Sequence, residues 1–216
     1  MKITFVRHGE STANIDQIYS GWLDVRLTKK GINQAREIGQ LIKDDNYDIV
    51  YTSCLSRAIQ TSYYILDSCD KLHINVEKTW KLNGRHMGFL QGCSKIDILE
   101  KFGKDKADYW RLNYTAKVPE IDPTSPFKGK GPDWITSESL EDNYQRTIQY
   151  YHDNIENVLR SKNVLVVAHL HTIRCFIKYI ENISDKDIEK LIIPHGEIIS
   201  YQSASDGFVN KNIINI

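Results

Sequence analysis

Two short apolar runs, far apart in the chain, each lead into a histidine, and this constrains the fold more than any other feature. Residues 3–6 (Ile-Thr-Phe-Val) run into Arg7-His8-Gly9-Glu10, and residues 164–168 (Val-Leu-Val-Val-Ala) run into His169. The second run has no polar alternation, as expected of a strand covered on both faces. Such strands belong to α/β sheets, where ligands sit beyond the carboxyl ends of the strands. Both histidines are therefore expected to face one crevice.

The remaining pattern agrees with this. Thr28 reads as a helix N-cap ahead of Ile32, Ala35, Ile38, Leu41 and Ile42 at helical spacing. Residues 48–52 read as a second strand, followed by a helix from about Cys54, and residues 73–76 as a short third strand. Ser139, with Asp142 three residues on, opens a helix whose face carries Leu140, Tyr144, Ile148, Tyr151, Ile155 and Leu159. Ile173, Phe176, Ile177 and Ile180 mark another helix, and residues 198–201 a late edge strand. Alternating strands and helices predict an α/β fold with a mainly parallel sheet. At 216 residues, one domain spanning 1–216 is expected. The segment from about 80 to 135 is rich in Gly, Pro, Lys, Asp and aromatics, and only 96–102 and 106–112 look helical. Long irregular segments of this kind are usually functional, so it is expected to be an ordered lid insertion over one end of the sheet.

Lysine plus arginine (28) equal aspartate plus glutamate (28), and this balance argues against a nucleic-acid partner. No apolar run approaches membrane-spanning length, and no signal-peptide pattern opens the sequence. Cys54, Cys69, Cys93 and Cys175 have neither disulfide-like nor metal-ligand spacing, so reduced thiols and a cytoplasmic location are expected.

The chemistry concentrates at the strand ends. Arg7 stands beside His8, and Arg57 falls in the first turn of the helix after the second strand. An imidazole nitrogen can attack phosphorus and hold a phosphoryl group covalently, provided the other nitrogen is fixed by a hydrogen bond. Charge spread over the equatorial oxygens is then met by arginine's rigid fork of donors. A small phosphorylated substrate is the expected partner.

At Arg7-His8-Gly9-Glu10-Ser11 the sequence resembles the histidine phosphatase superfamily. Ser20-Gly21-Trp22, Leu27-Thr28-Lys29-Lys30-Gly31, Leu55-Ser56-Arg57-Ala58-Ile59-Gln60-Thr61, Trp80-Lys81-Leu82-Asn83, Tyr109-Trp110-Arg111 and Val167-Ala168-His169 are similar to its phosphoglycerate mutase branch. The likeness runs over roughly residues 2 to 203 and implies a three-layer α/β/α sandwich. It implies that His8 is the phosphohistidine and that Arg7, Arg57 and His169 clamp the moving phosphoryl group. Asn14, Ser20 and Gly21 would line the substrate pocket, while Arg85, Lys95 and Arg111 would bind the substrate carboxylate and second phosphate; His171, which departs from the family pattern, is also expected among the substrate-binding residues. It implies 2,3-bisphosphoglycerate as primer, 3-phosphoglycerate and 2-phosphoglycerate as substrates, and no metal. Members of this branch are often dimers or tetramers, which makes a homo-oligomer an expectation.

The pattern breaks at one position above all. Where the mutases read Leu-Asn-Glu-Arg-His-Tyr-Gly, this chain has Leu82-Asn83-Gly84-Arg85-His86-Met87-Gly88. Gly84 replaces the glutamate taken as the general acid and base. Further departures are Leu170-His171-Thr172-Ile173-Arg174, Leu112, and Pro194-His195-Gly196-Glu197-Ile198, and the family's C-terminal tail has no counterpart before Ile216. His171, His195 or Glu197 is expected to supply the missing proton transfer, with Glu10 a weaker candidate whose other role is to order its loop. Two alternatives stand beside a mutase: a phosphatase on a small phosphorylated metabolite, and a catalytically weak protein that binds phosphorylated ligands.

Overall fold

The structure is a computed structural model in which residues 1–204 and 207–216 are described. Six strands form one sheet in the order β3-β2-β4-β1-β5-β6, from β1 (Lys2–Arg7), β2 (Ile49–Thr52), β3 (Asn75–Lys78), β4 (Val164–Ala168), β5 (Ile198–Ala204) and β6 (Gly207–Ile214). The first four in that order are mutually parallel, and β5 and β6 are added antiparallel. The helices are α1 (Thr12–Ile15), α2 (Lys29–Leu41), α3 (Ser56–Ser68), α4 (Lys95–Phe102), α5 (Lys104–Leu112), α6 (Leu140–Tyr150), α7 (Leu170–Glu181) and α8 (Asp185–Ile188). Among the described residues, no helix is long and apolar enough to cross a membrane.

Side-chain alternation on the strands makes the three layers. Ile3, Phe5, Val164 and Val166 point to one face, where Ile173, Phe176 and Ile177 of α7 and Ile148 of α6 cover them. Val6, Val50, Leu165 and Val167 point to the other, against Ala35 and Ile38 of α2 and Ile65 and Leu66 of α3. Each fully buried side chain of this size contributes roughly 1.5–3 kcal/mol. The central strand β4 is buried at every residue, as its uninterrupted apolar run requires.

The caps read from the sequence are present. The Thr28 side chain accepts from Gly31 N, and Ser139 and Asp142 form a reciprocal capping box. α6 continues through a π-turn over Tyr151–Ile155. One expectation is corrected: residues 198–201 do not lie at the edge. β5 pairs with β1 on one side and β6 on the other, so β6 is the edge strand. β6 is exposed or half-buried along its whole length, which removes the alternation that marks a strand in sequence.

In the segment from 80 to 135, α4 and α5 pack Ile98, Ala107 and Trp110 against Tyr19, Met87, Leu90 and Val118. This small second core carries Lys95 and Arg111 to the lining of the cavity described next.

Candidate active site

β1 and β4 are neighbours in register, with Arg7 opposite Ala168, and His8 N donates to Ala168 O at 3.0 Å. The ladder thus delivers His8 and His169 side by side at the carboxyl edge, their rings 5.0 Å apart. His8 Nδ1 lies 2.8 Å from Gly9 O. A carbonyl only accepts, so Nδ1 carries the proton and Nε2 keeps its lone pair. That is the tautomer a nucleophile needs. Gly9 and Gly31 hold this loop against the start of α2, because a Cβ on Gly9 would lie 2.4 Å from Gly31 O. Glu10 is occupied there as well: its carboxylate accepts from Thr28 Oγ1 and pairs with Lys30.

His169 is the N-cap residue of α7, and its Nε2 is 2.8 Å from Ser53 Oγ. Ser53 Oγ accepts from Leu55 N, so its own proton is available to His169 Nε2. This arrangement leaves Nδ1 as an N–H with no protein partner. Arg57 is fixed by donating to Leu23 O and Gly21 O, each at 2.8 Å, and Arg7 by donating to Ile193 O and to His195 Nε2. Each of these arginines keeps an unpartnered Nε.

A cavity of about 510 Å³ opens from these four residues. Asn14, Ser20, Gly21, Arg85, Lys95, Arg111 and His171 all line it, as does Gly84. Arg85 is buried, with Nη2 on Trp110 O and with Nε and Nη1 free of partners. Arg174, which the sequence reading did not select, is likewise buried and lines the cavity with Nε and Nη1 unpartnered. It follows His171 by three residues, so both share one face of α7, and that spacing was the available signal. Tyr19 and Lys190 were also unselected.

Among the described residues, every buried side-chain nitrogen without a partner belongs to Arg7, Arg57, Arg85, His169 or Arg174, all around this one cavity. Buried donors are left open in this way where a ligand satisfies them. The cavity gathers Arg7, His8, Arg57 and His169 with Arg85, Arg174, Lys95, Arg111 and His171, which burial and then Arg85 hold well below the ordinary histidine value. Its one carboxylate among the described residues is Glu189, which accepts from Asn113 Nδ2 and Tyr114 N.

His195 and Glu197 do not line the cavity. His195 donates from Nδ1 to His8 O at 3.0 Å and accepts at Nε2 from Arg7, so both ring nitrogens are occupied in positioning those residues. Burial and then Arg7 lower its pKa to about 4, which matches a neutral acceptor. Glu197 touches Arg7 through its backbone, accepting from Arg7 N. Burial pushes its carboxyl up.

Gly84 lies where the family glutamate would be, on a backbone that is firmly held. Its carbonyl accepts from Trp22 Nε1 and Arg146 Nη2, while Arg146 is locked on Glu138 and also donates to Lys81 O and Asn83 O. Glu138 in turn accepts from His86 N. His86 cannot take over, because its Nδ1 accepts from Gly88 N and its Nε2 contacts Lys128 O.

Burial is the first cause that holds His8 and His169 well below the ordinary histidine value of 6.5, with nearby cations adding to it. Both stay neutral in the fold, whereas the unfolded chain takes up their protons below about pH 6.5. Stability is therefore full above that pH and is expected to fall below it. The loss is up to about 1.4 kcal/mol per pH unit for each histidine. Urea midpoints at pH 7.5 and 5.5 check this, and equal midpoints would refute it.

The profile of the histidine phosphatase superfamily (branch 1) matches residues 3–215. The chain belongs to that superfamily. It is 41% identical over 205 residues to the 2,3-bisphosphoglycerate-dependent phosphoglycerate mutase of Elusimicrobium minutum (strain Pei191), covering 89% of this chain and 83% of that protein. It is 40% identical over 207 residues to phosphoglycerate mutase 1 of Saccharomyces cerevisiae, covering 90% and 84%. Among solved structures it resembles the alpha-ribazole phosphatase from Shigella flexneri, with a TM-score of 0.77 at 21% identity over 96% of this chain and 93% of that one. A mycobacterial glucosyl-3-phosphoglycerate phosphatase in complex with VO3 is equally similar, with a TM-score of 0.77 at 18% identity over 98% and 96%. At those identities the likeness speaks for the fold. The chain is a phosphoglycerate mutase-like enzyme of the histidine phosphatase superfamily.

Proposed function

We propose that this enzyme interconverts 3-phosphoglycerate and 2-phosphoglycerate through a phosphohistidine on His8. The observation that carries the reading is one cavity in which unpartnered donors of Arg7, Arg57 and His169 stand with those of Arg85 and Arg174. Such a site suits a short molecule with a phosphoryl group at one end and a second anionic group at the other. The mutase relatives, one of them named for 2,3-bisphosphoglycerate, support the same substrate class.

The donor set fits 2,3-bisphosphoglycerate, which when bound supplies the phosphoryl group that primes His8. Arg7 and Arg57 donate from Nε, and His169 from Nδ1, to the equatorial oxygens, where charge is held throughout in-line transfer. His8 Nδ1 keeps its proton and donates it to Gly9 O in a hydrogen bond while Nε2 carries the group. Arg85 and Arg174 grip the second anion and turn the glycerate so that either oxygen can face His8.

The test is turnover of 3-phosphoglycerate with trace 2,3-bisphosphoglycerate, together with detection of acid-labile phosphate on His8. Absence of both turnover and phosphohistidine would overturn the proposal. Arg174→Gln is expected to raise the KM for 3-phosphoglycerate about 10- to 100-fold, since a hydrogen bond to a charged group contributes roughly 1.5–3 kcal/mol. Steady-state kinetics check it, and an unchanged KM would remove Arg174 from the second-anion site. One observation favours a phosphatase as second reading: Gly84 lines the cavity and presents no side chain beside His169, the openness that a hydrolytic water would need.

A further inference from the structure

We infer that Gln91 is a positioning residue for phosphoryl transfer: it fixes the Gly21–Trp22 peptide, and that peptide aims Arg57 at the phosphoryl group. The inference rests on the role given to Arg57 above and assigns the residue through which that role is kept.

Arg57 is buried, with its guanidinium gripped from one side. Nη2 donates to Gly21 O and Nη1 to Leu23 O, each at 2.8 Å, and Nε is left for a ligand oxygen. The guanidinium is planar, so two carbonyls set in its fork fix the direction of Nε–H. Gly21 O can do this only while its peptide is turned the right way. In a planar trans peptide the carbonyl and the N–H point in opposite directions. With Gly21 O facing Arg57, Trp22 N–H faces away from it, into the packed interior, where an orphaned N–H is costly. Gln91, itself only 2% exposed, meets it there: Oε1 accepts from Trp22 N at 2.7 Å. One line of hydrogen bonds thus runs from Gln91 through a single peptide to Arg57. Groups chained in this way polarise and strengthen one another.

The other half of the Gln91 amide anchors that line. Nε2 donates to Phe127 O at 2.7 Å and to Lys128 O at 3.0 Å, and Oε1 also accepts from Met87 N at 3.3 Å. Both donors and both acceptor sites of the amide are therefore in use. The segment it grips closes back over the same loop. Lys130 N donates to Trp22 O at 3.0 Å, and Lys130 Nζ pairs with Asp24. Asp24 in turn accepts from Ser56 N at the start of α3, the residue before Arg57. Gly21 has φ +46° and sits so close to Gln91 that a Cβ would fall 2.0 Å from Oε1. Gln91 does not line the cavity, so it acts through Arg57 and not on the substrate.

A double-mutant cycle on phosphoenzyme formation tests this, with 2,3-bisphosphoglycerate as donor and acid-labile phosphate on His8 as readout. Gln91→Met keeps the length of the side chain and removes the amide. It is expected to slow labelling about 10²-fold, the cost of displacing a catalytic group by about 1 Å. In an Arg57→Lys background the same substitution should cost about threefold or less, because a residue that acts through another loses its effect once that other is gone. Equal losses in both backgrounds would overturn the inference and leave the phosphohistidine standing. Gln91→Glu covers the case in which Gln91→Met does not fold. Charged or protonated, its carboxyl group still offers an oxygen to Trp22 N. Its labelling is expected within about tenfold of the wild type, the upper cost of one neutral hydrogen bond. A folded Gln91→Glu protein that labels as slowly as Arg57→Lys would overturn the inference. Orthovanadate affinity, measured by calorimetry across the same cycle, needs no phosphoryl donor and should show the same coupling. An unlabelled wild type would overturn the phosphohistidine reading and leave the cycle to orthovanadate, where additive losses of affinity would overturn this inference too.

Discussion

Glutamate in place of Gly84 is expected to accelerate the interconversion of 3-phosphoglycerate and 2-phosphoglycerate by about 10²- to 10⁴-fold. At about 1.4 kcal/mol per factor of ten, this is roughly 3–5 kcal/mol of transition-state stabilisation. The site is prepared for the change. The residue 84 carbonyl is already held by Trp22 and Arg146, so a new side chain starts from a fixed backbone. A Cβ there would lie 3.2 Å from His169 Cβ and 3.3 Å from its Cγ, so His169 must yield by a few tenths of an ångström. Tight insertion into a packed site costs about 1–3 kcal/mol of stability, which a thermal melt alongside the assay would register. Stability should therefore fall while turnover rises. A folded variant with less than a tenfold gain would mean that the wild type already moves its proton by another route. The His171→Ala variant would then be the next to assay, because His171 is the candidate acid or base that the fold places in the cavity.

Much of the framework was legible because it rests on strong local signals. The run 164–168 is buried at every position, and Thr28 and Ser139 cap the helices they were expected to open. Arg7, His8, Arg57 and His169 converge because they sit at strand ends or in a first helical turn, positions the topology fixes in space. Directions of side chains were not legible. His195 is close to His8, with ring centroids 5.3 Å apart, yet β5 runs antiparallel beside β1 and sets the residue behind Arg7. A titratable residue near a site in sequence pattern thus became part of its support. Arg174 was missed for the opposite reason. Mid-helix arginines usually reach solvent, and only tertiary burial shows this one turned inward with two nitrogens unpartnered. β6 gave little signal because neither of its faces is buried deeply enough to impose alternation.

Asparagine in place of His8 and asparagine in place of His169 are expected to fail in different ways. His8→Asn should leave no phosphoenzyme and reduce turnover on the order of 10⁶-fold, as when a covalent nucleophile is removed from other enzymes. His169→Asn should still form the phosphoenzyme, about 10²- to 10³-fold more slowly, the usual cost of one donor to a developing charge. The two rings lie side by side, and their hydrogen bonds set their roles. His8 Nδ1 is committed to a carbonyl, which leaves a lone pair on Nε2. His169 Nε2 is committed to Ser53, which leaves a proton on Nδ1. One ring can attack phosphorus while the other can only donate to its oxygens. Quenched-flow labelling with 2,3-bisphosphoglycerate separates the two outcomes, run in the Gly84→Glu background if the wild type loads slowly. Phosphate found on His169 in the His8→Asn protein would reverse the assignment and would mean that the Ser53 bond does not hold the tautomer.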